Sequence, residues 1–134
     1  MPSDDLLNIF RVEVEEYLEQ LNTMLLQAEM MAATDPNFKP TMIEMNRIAH
    51  SMKGAARAVG FTRIETLGHY MEEIFGAALK GRIQLLPHVC DTLYDSLDVI
   101  QSVMDGEEVE DETFGGVTEA LEQIVTLTAA PPAP

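Results

Sequence analysis

Apolar residues recurring at alternating spacings of three and four, in one segment after another, constrain this chain more than any other feature. Leu7, Phe10, Val14, Tyr17, Leu21, Met24, Ala28 and Met31 form the first such series. This is the pattern of one face of a helix with about 3.6 residues per turn. The period-two alternation of half-buried strands is absent, and so is any internal repeat. Five segments carry the helical period, and short connections between long amphipathic helices favour antiparallel neighbours. The expected fold is all-α: an up-down antiparallel four-helix bundle core with an additional C-terminal helix.

The boundaries follow from local chemistry. The first helix is expected from about Asp4 to Met31, with Ser3 as its cap and Asp4 and Asp5 against the positive end of the helix dipole. Thr34-Asp35-Pro36-Asn37 reads as a loop, with Pro40 an early position of the next helix. The second helix is expected from Thr41 to Val59, with Met42, Met45, Ala49, Met52, Ala56 and Val59 inward and Gly60 as its stop. Thr62-Arg63-Ile64-Glu65 fits a capping box opening a third helix. Its core face is Ile64, Leu67, Met71, Ile74, Phe75 and Ala78, and Lys80-Gly81 ends it. Pro87 opens a fourth, with Val89, Leu93, Leu97, Ile100 and Val103 inward. Gly106 and the acidic run Glu107 to Glu112 close it. A weaker fifth runs from about Thr113 to Thr128 through Val117, Leu121, Ile124 and Leu127, with Gly115 and Gly116 working against it. The expected division is a domain over residues 1–128 and an Ala/Pro-rich linker over 129–134 to an absent downstream region.

Composition narrows the partners. The 134 residues suit one domain, and 46% hydrophobic content supplies a core. A net charge of −15 repels nucleic acid and anionic membrane surfaces. No apolar run approaches the roughly 18 residues that span a bilayer, and the N-terminus lacks the basic start and apolar run of a signal peptide. The expected setting is cytoplasmic, with the domain monomeric in isolation. The single cysteine, Cys90, excludes an intrachain disulfide and reads as a small buried hydrophobe. Against the acidic background Arg47, Lys53, Arg57 and Arg63 crowd into one stretch, a small positive island suited to an anion.

That stretch contains Ala49-His50-Ser51-Met52-Lys53-Gly54-Ala55-Ala56. The core stripe passes through Ala49, Met52 and Ala56, so His50, rotated about 100° from Ala49, reaches the edge of the polar face. Lys53 and Gly54 lie three and four residues on and are its surface neighbours. A lysine there favours a phosphoryl group on the histidine. A glycine inside a helix is otherwise a penalty, and here it lets another protein's active site approach the imidazole. Taken singly these are ordinary surface residues; taken together they favour an exposed phosphoacceptor. On the third helix Glu65, His69 and Glu72 form a second polar stripe that can border His50, or be a solvated acidic face. A carboxylate on Nδ1 of His50 would leave a lone pair on Nε2.

His50-Ser51-x-Lys53-Gly54-x-Ala56 with Gly60-Phe61 resembles the phosphoacceptor motif of histidine phosphotransfer domains, most closely the N-terminal domain of CheA-type chemotaxis kinases. His69-x-Met71-Glu72 and Gly81-x-x-Gln84-Leu85 are similar to the same branch. The resemblance is specific from about Arg47 to Leu85. It implies phosphorylation of His50 by the kinase's ATP-binding domain and transfer to an aspartate of a response-regulator receiver domain. It assigns His50 as nucleophile, Glu72 as the residue orienting it, Lys53 to the phosphoryl group and His69 to the supporting network, with Gly54 as the point of partner access. The domain itself would bind no cofactor and no metal, ATP and Mg2+ coming with partner domains, and would be a substrate and carrier rather than an enzyme. Arg57 and Val59 depart from the glycine and phenylalanine often found there, which bears on the choice of receiver and not on the chemistry. Two other functions fit less of the motif. One is a relay intermediate between two receiver domains. The other is a metal-binding bundle using His50, His69, Glu72 and Glu73, which Lys53 would oppose.

Overall fold

The computed structural model describes residues 3–129, which form five helices: α1 Asp4–Ala28, α2 Phe38–Val59, α3 Thr62–Leu79, α4 Pro87–Met104 and α5 Asp111–Ala129. Helices α1 to α4 pack in a closed ring, each against the next and α4 back against α1, while α5 lies over α3 and α4. The inward residues of α2 and α3 named above are all buried, and α2 and α3 share the most extensive interface. The stripe on α1 is wider than expected: Leu18 and Leu25 are buried, with Tyr17 and Met24 only half-buried beside them. On α4, Met104 is buried while Val103 is half-buried. Cys90 is buried, and desolvation, ahead of the charges of Glu29 and Asp91, pushes its thiol up to about 11.

Several boundaries differ from expectation for local reasons. Helix α1 stops at Ala28, and the next amides tighten into i→i−3 bonds, Met30 to Gln27 and Met31 to Ala28. Helix α2 starts at Phe38, three residues early. The Asn37 amide donates to Asp35 Oδ1 (2.8 Å), and Phe38 is drawn into the core. Pro40 then sits in the first turn, where its missing N–H costs nothing.

The capping box at Thr62 does not form: Thr62 is already helical, and Phe61 holds the cap position with no side-chain bond. Two constraints put it there. Gly60 adopts φ 84°, so that the Phe61 amide donates back to Ala56 (2.9 Å), and the Phe61 ring stacks on Phe10 at 5.0 Å. Helix α5 begins at Asp111, two residues early, because Arg63 pins its start. Arg63 donates to the Val109 carbonyl (2.6 Å), pairs with Asp111 and lies over the Phe114 ring at 4.7 Å. Gly115 and Gly116 fall inside α5, in open surroundings, and the helix carries on past them to Ala129. The expected linker thus loses Ala129 to α5, and its residues 130–134 lie outside the described ones.

Candidate phosphotransfer site

Helix α2 presents His50 on its outer face with 68% of the side chain exposed. Its Nδ1 is hydrogen-bonded to Glu72 Oε2 of α3, while Nε2 has no partner among the described residues. The other oxygen of Glu72 accepts from Lys53 Nζ at 2.8 Å. Glu72 is 20% exposed. Burial alone would raise its pKa; the hydrogen bonds from Lys53 and His50 outweigh that and hold it below the usual carboxylate value of 4.5. An ionised Glu72 accepts only, so the proton in the His50–Glu72 bond belongs to Nδ1. In the neutral imidazole the free lone pair then sits on Nε2, on a largely exposed ring, available to an electrophile.

One turn beyond His50, a Cβ built on Gly54 would meet nothing within 4 Å. The glycine is exposed and its surroundings are open. Nothing inside the fold requires a glycine at this position.

The structure brings together His50, Lys53 and Glu72, with Gly54 beside them, and gives two of the assigned residues partners that the sequence did not name. Lys53, expected beside the histidine as a cation for the phosphoryl group, is bonded to Glu72. His69, expected in the network around His50, instead pairs through Nε2 with Glu73 Oε1 at 3.2 Å, one turn along its own helix. Glu65 faces Arg57 at 3.7 Å and not His50. The positive island is also accounted for residue by residue, with Arg47 on Glu44, Lys53 on Glu72, Arg57 on Glu65 and Arg63 on Asp111. It is not a free anion cradle. The four donors of the metal-bundle reading divide into separate pairs, one of them carrying an ammonium group. Among the described residues no group of three or more His, Cys, Asp or Glu side chains could hold a metal ion.

Three residues around Glu72 escaped the sequence reading. Asn46 Nδ2 donates to the Glu72 carbonyl at 2.6 Å. A Cβ on Gly68 would lie 3.2 Å from Lys53 Cβ and 3.3 Å from its Cα, and one on Gly76 would lie 3.4 Å from Asn46 Nδ2. The available signal was two glycines inside a helix, each four residues from Glu72 and hence on its face.

The profile of the Hpt domain family matches residues 5–126, nearly the whole described chain. The chain belongs to the Hpt domain family. Among curated relatives of this Hpt domain, the chemotaxis protein CheA of Halobacterium salinarum is 29% identical over 121 residues, covering 90% of this chain and 18% of its own length. CheA of Bacillus subtilis is 29% identical over 110 residues, 79% of this chain and 16% of the relative. The sensor histidine kinase CheAY of Helicobacter pylori is 26% identical over 134 residues, 94% of this chain and 16% of the relative. The Hpt chain thus spans less than a fifth of the curated relatives it matches. Among solved structures, the phosphorylated P1 domain of CheA3 in complex with CheY6 from R. sphaeroides superposes with a TM-score of 0.76 at 15% identity. It covers 92% of this chain and 98% of that one, a likeness of fold. No helix of the described residues is long and apolar enough to cross a membrane.

Proposed function

We propose that this Hpt domain is the phosphoacceptor and phosphoryl carrier of a CheA-like histidine kinase, with His50 as its nucleophile. The observation that carries this is a histidine exposed at Nε2 whose Nδ1 is held by a carboxylate that is itself held by Lys53. Nε2 attacks the γ-phosphorus of ATP bound by the kinase's ATP-binding domain; the N–P bond forms as the P–O bond to ADP breaks. The imidazole gains positive charge in that step, and Glu72 stabilises it through the Nδ1 proton. In the second step an aspartate oxygen of a receiver domain attacks the same phosphorus, the N–P bond breaks, and His50 returns to the neutral imidazole.

The domain positions one nitrogen; ATP, Mg2+ and the catalytic groups come with its partners, and no cofactor binds here. In isolation it is a substrate and carrier, not an enzyme, working in the cytoplasm. The relatives are named as chemotaxis proteins and a sensor histidine kinase, which supports a kinase as the parent and a receiver as the second partner.

Incubating the domain with a CheA-type catalytic domain and radiolabelled ATP should give one acid-labile phosphoryl group per chain, and His50→Gln should abolish it. Label persisting in that variant, on His69 or His88, would overturn the assignment.

A further inference from the structure

We propose that Asn46 is a positioning residue of this site, holding Glu72 at the height where one carboxylate serves both His50 and Lys53. The inference rests on the reading of His50 as the phosphoacceptor. Helices α2 and α3 meet at three successive levels. Gly68 lies against the backbone of Lys53. Glu72 bonds His50 and Lys53. Gly76 lies against the amide of Asn46. On α3 these residues are spaced four apart, about 6 Å of rise per step, and Asn46, His50 and Lys53 match them in the opposite order on α2.

Sliding α3 along α2 by a fraction of that step would take Glu72 away from one of its two donors. Interlocking side chains set the register of the two helices coarsely, and a directional bond to the Glu72 backbone holds it at this level. Asn46 supplies that bond. A helical carbonyl spends one lone pair on the amide four residues on, here that of Gly76, and the second accepts the Asn46 amide. A Cβ on Gly76 would stand 3.4 Å from that amide, already in van der Waals contact, so a β-branched side chain there would crowd it. Asparagine inside a helix and glycine inside its neighbour are both unfavourable for helix formation, and the bond they make together gives both a purpose.

The test is Asn46→Ala, Gly76→Val and the double variant. The whole chain is used, uniformly 15N-labelled. Three quantities are read: the His50 imidazole nitrogen shifts, the rate of phosphorylation by a CheA-type catalytic domain, and Tm. Each single variant should move the Nδ1 signal of His50 away from its Glu72-bonded position. Each should slow phosphorylation by a few-fold to about tenfold, the worth of one hydrogen bond. The double variant should be no slower than the worse single one, because both remove the same contact. An unchanged Nδ1 signal with only a lower Tm would overturn the proposal, leaving Asn46 a packing residue. Fully additive rates would also overturn it. If the parent domain takes up no phosphate, it is the functional reading that fails; the Nδ1 signal of Asn46→Ala still decides whether Asn46 positions Glu72.

Discussion

Carboxylates that reach across helix boundaries in this bundle serve two different ends. Glu29, at the end of α1, accepts from the Tyr94 hydroxyl of α4, and Glu122 of α5 accepts from the Tyr70 hydroxyl of α3 at 2.8 Å. Each phenol has one proton and spends it on the contact. Its pKa is raised, by burial and then the bond to Glu29 for Tyr94, and chiefly by the bond to Glu122 for Tyr70. These pairs are neutral-donor clasps with nothing left to react. Glu72 differs in taking two donors on two oxygens, one of them a cation, so its own pKa falls. The histidine it holds keeps a second nitrogen in solvent. A clasp becomes a reactive site when its donor has a spare lone pair and its acceptor is neutralised from another side.

The sharpest break of this contrast is expected at Gly54. If partners approach over Gly54, as proposed, a leucine there would stand in their way, and misplacing reacting groups by even about 1 Å can cost on the order of 100-fold in rate. Gly54→Leu should therefore cut phosphorylation by at least about 100-fold while raising Tm, since leucine is the better helix former by up to ~1 kcal/mol. A variant that still accepts phosphate at the parent rate would show that partners come in over another side of His50.

Removing the shared acceptor is expected to cost somewhat less. Glu72→Ala should slow phosphorylation on the order of 100-fold, as loss of a partner to a reacting histidine does. The circular-dichroism spectrum should stay helical, because the residue lies outside the apolar core. A rate within twofold of the parent would reduce the Glu72 contact to another clasp.

Acid titration tests the charge on Glu72. The folded pKa of Glu72 lies below its unfolded value, so its stabilisation is fully present above about pH 4.5 and is lost as pH falls through the lowered folded value. The stability gap between the parent and Glu72→Gln, from urea melts at a series of pH values, should be widest near neutrality and close in acid. A gap independent of pH would mean that Glu72 is not ionised in its bonds to His50 and Lys53.

The smallest effect belongs to the clasp itself. Tyr94→Phe should lower stability by about 0.5–1.5 kcal/mol, one hydrogen bond's worth, and leave phosphorylation unchanged. Slower phosphorylation at unchanged stability would show that the α1–α4 contact communicates with the site.

Much of this was legible from residue order alone. The periodicity of Met42, Met45, Ala49 and Met52 placed α2 and turned His50 outward, because a helix converts spacing directly into angle. Gly60, Pro87 and Gly81 marked ends, since φ preferences and a missing amide act locally. The His50, Lys53, Gly54 and Glu72 set could be named for the same reason: each belongs to a surface stripe, and the resemblance covers that region. The resemblance named Glu72 as the orienting residue, but spacing left the whole stripe open, and tertiary structure decided which of its residues meets which. His69 and Glu72 share a face of α3, yet Glu72 is the one bonded to His50, while His69 pairs with Glu73. Lys53 meets the same carboxylate from one turn further along α2. Phe61 took the cap position from Thr62 by stacking on Phe10, a ring far away in the chain and beyond the reach of local rules. Spacing along one helix carries no information about register against another; that is set by the depth to which side chains interlock, a property of two surfaces together.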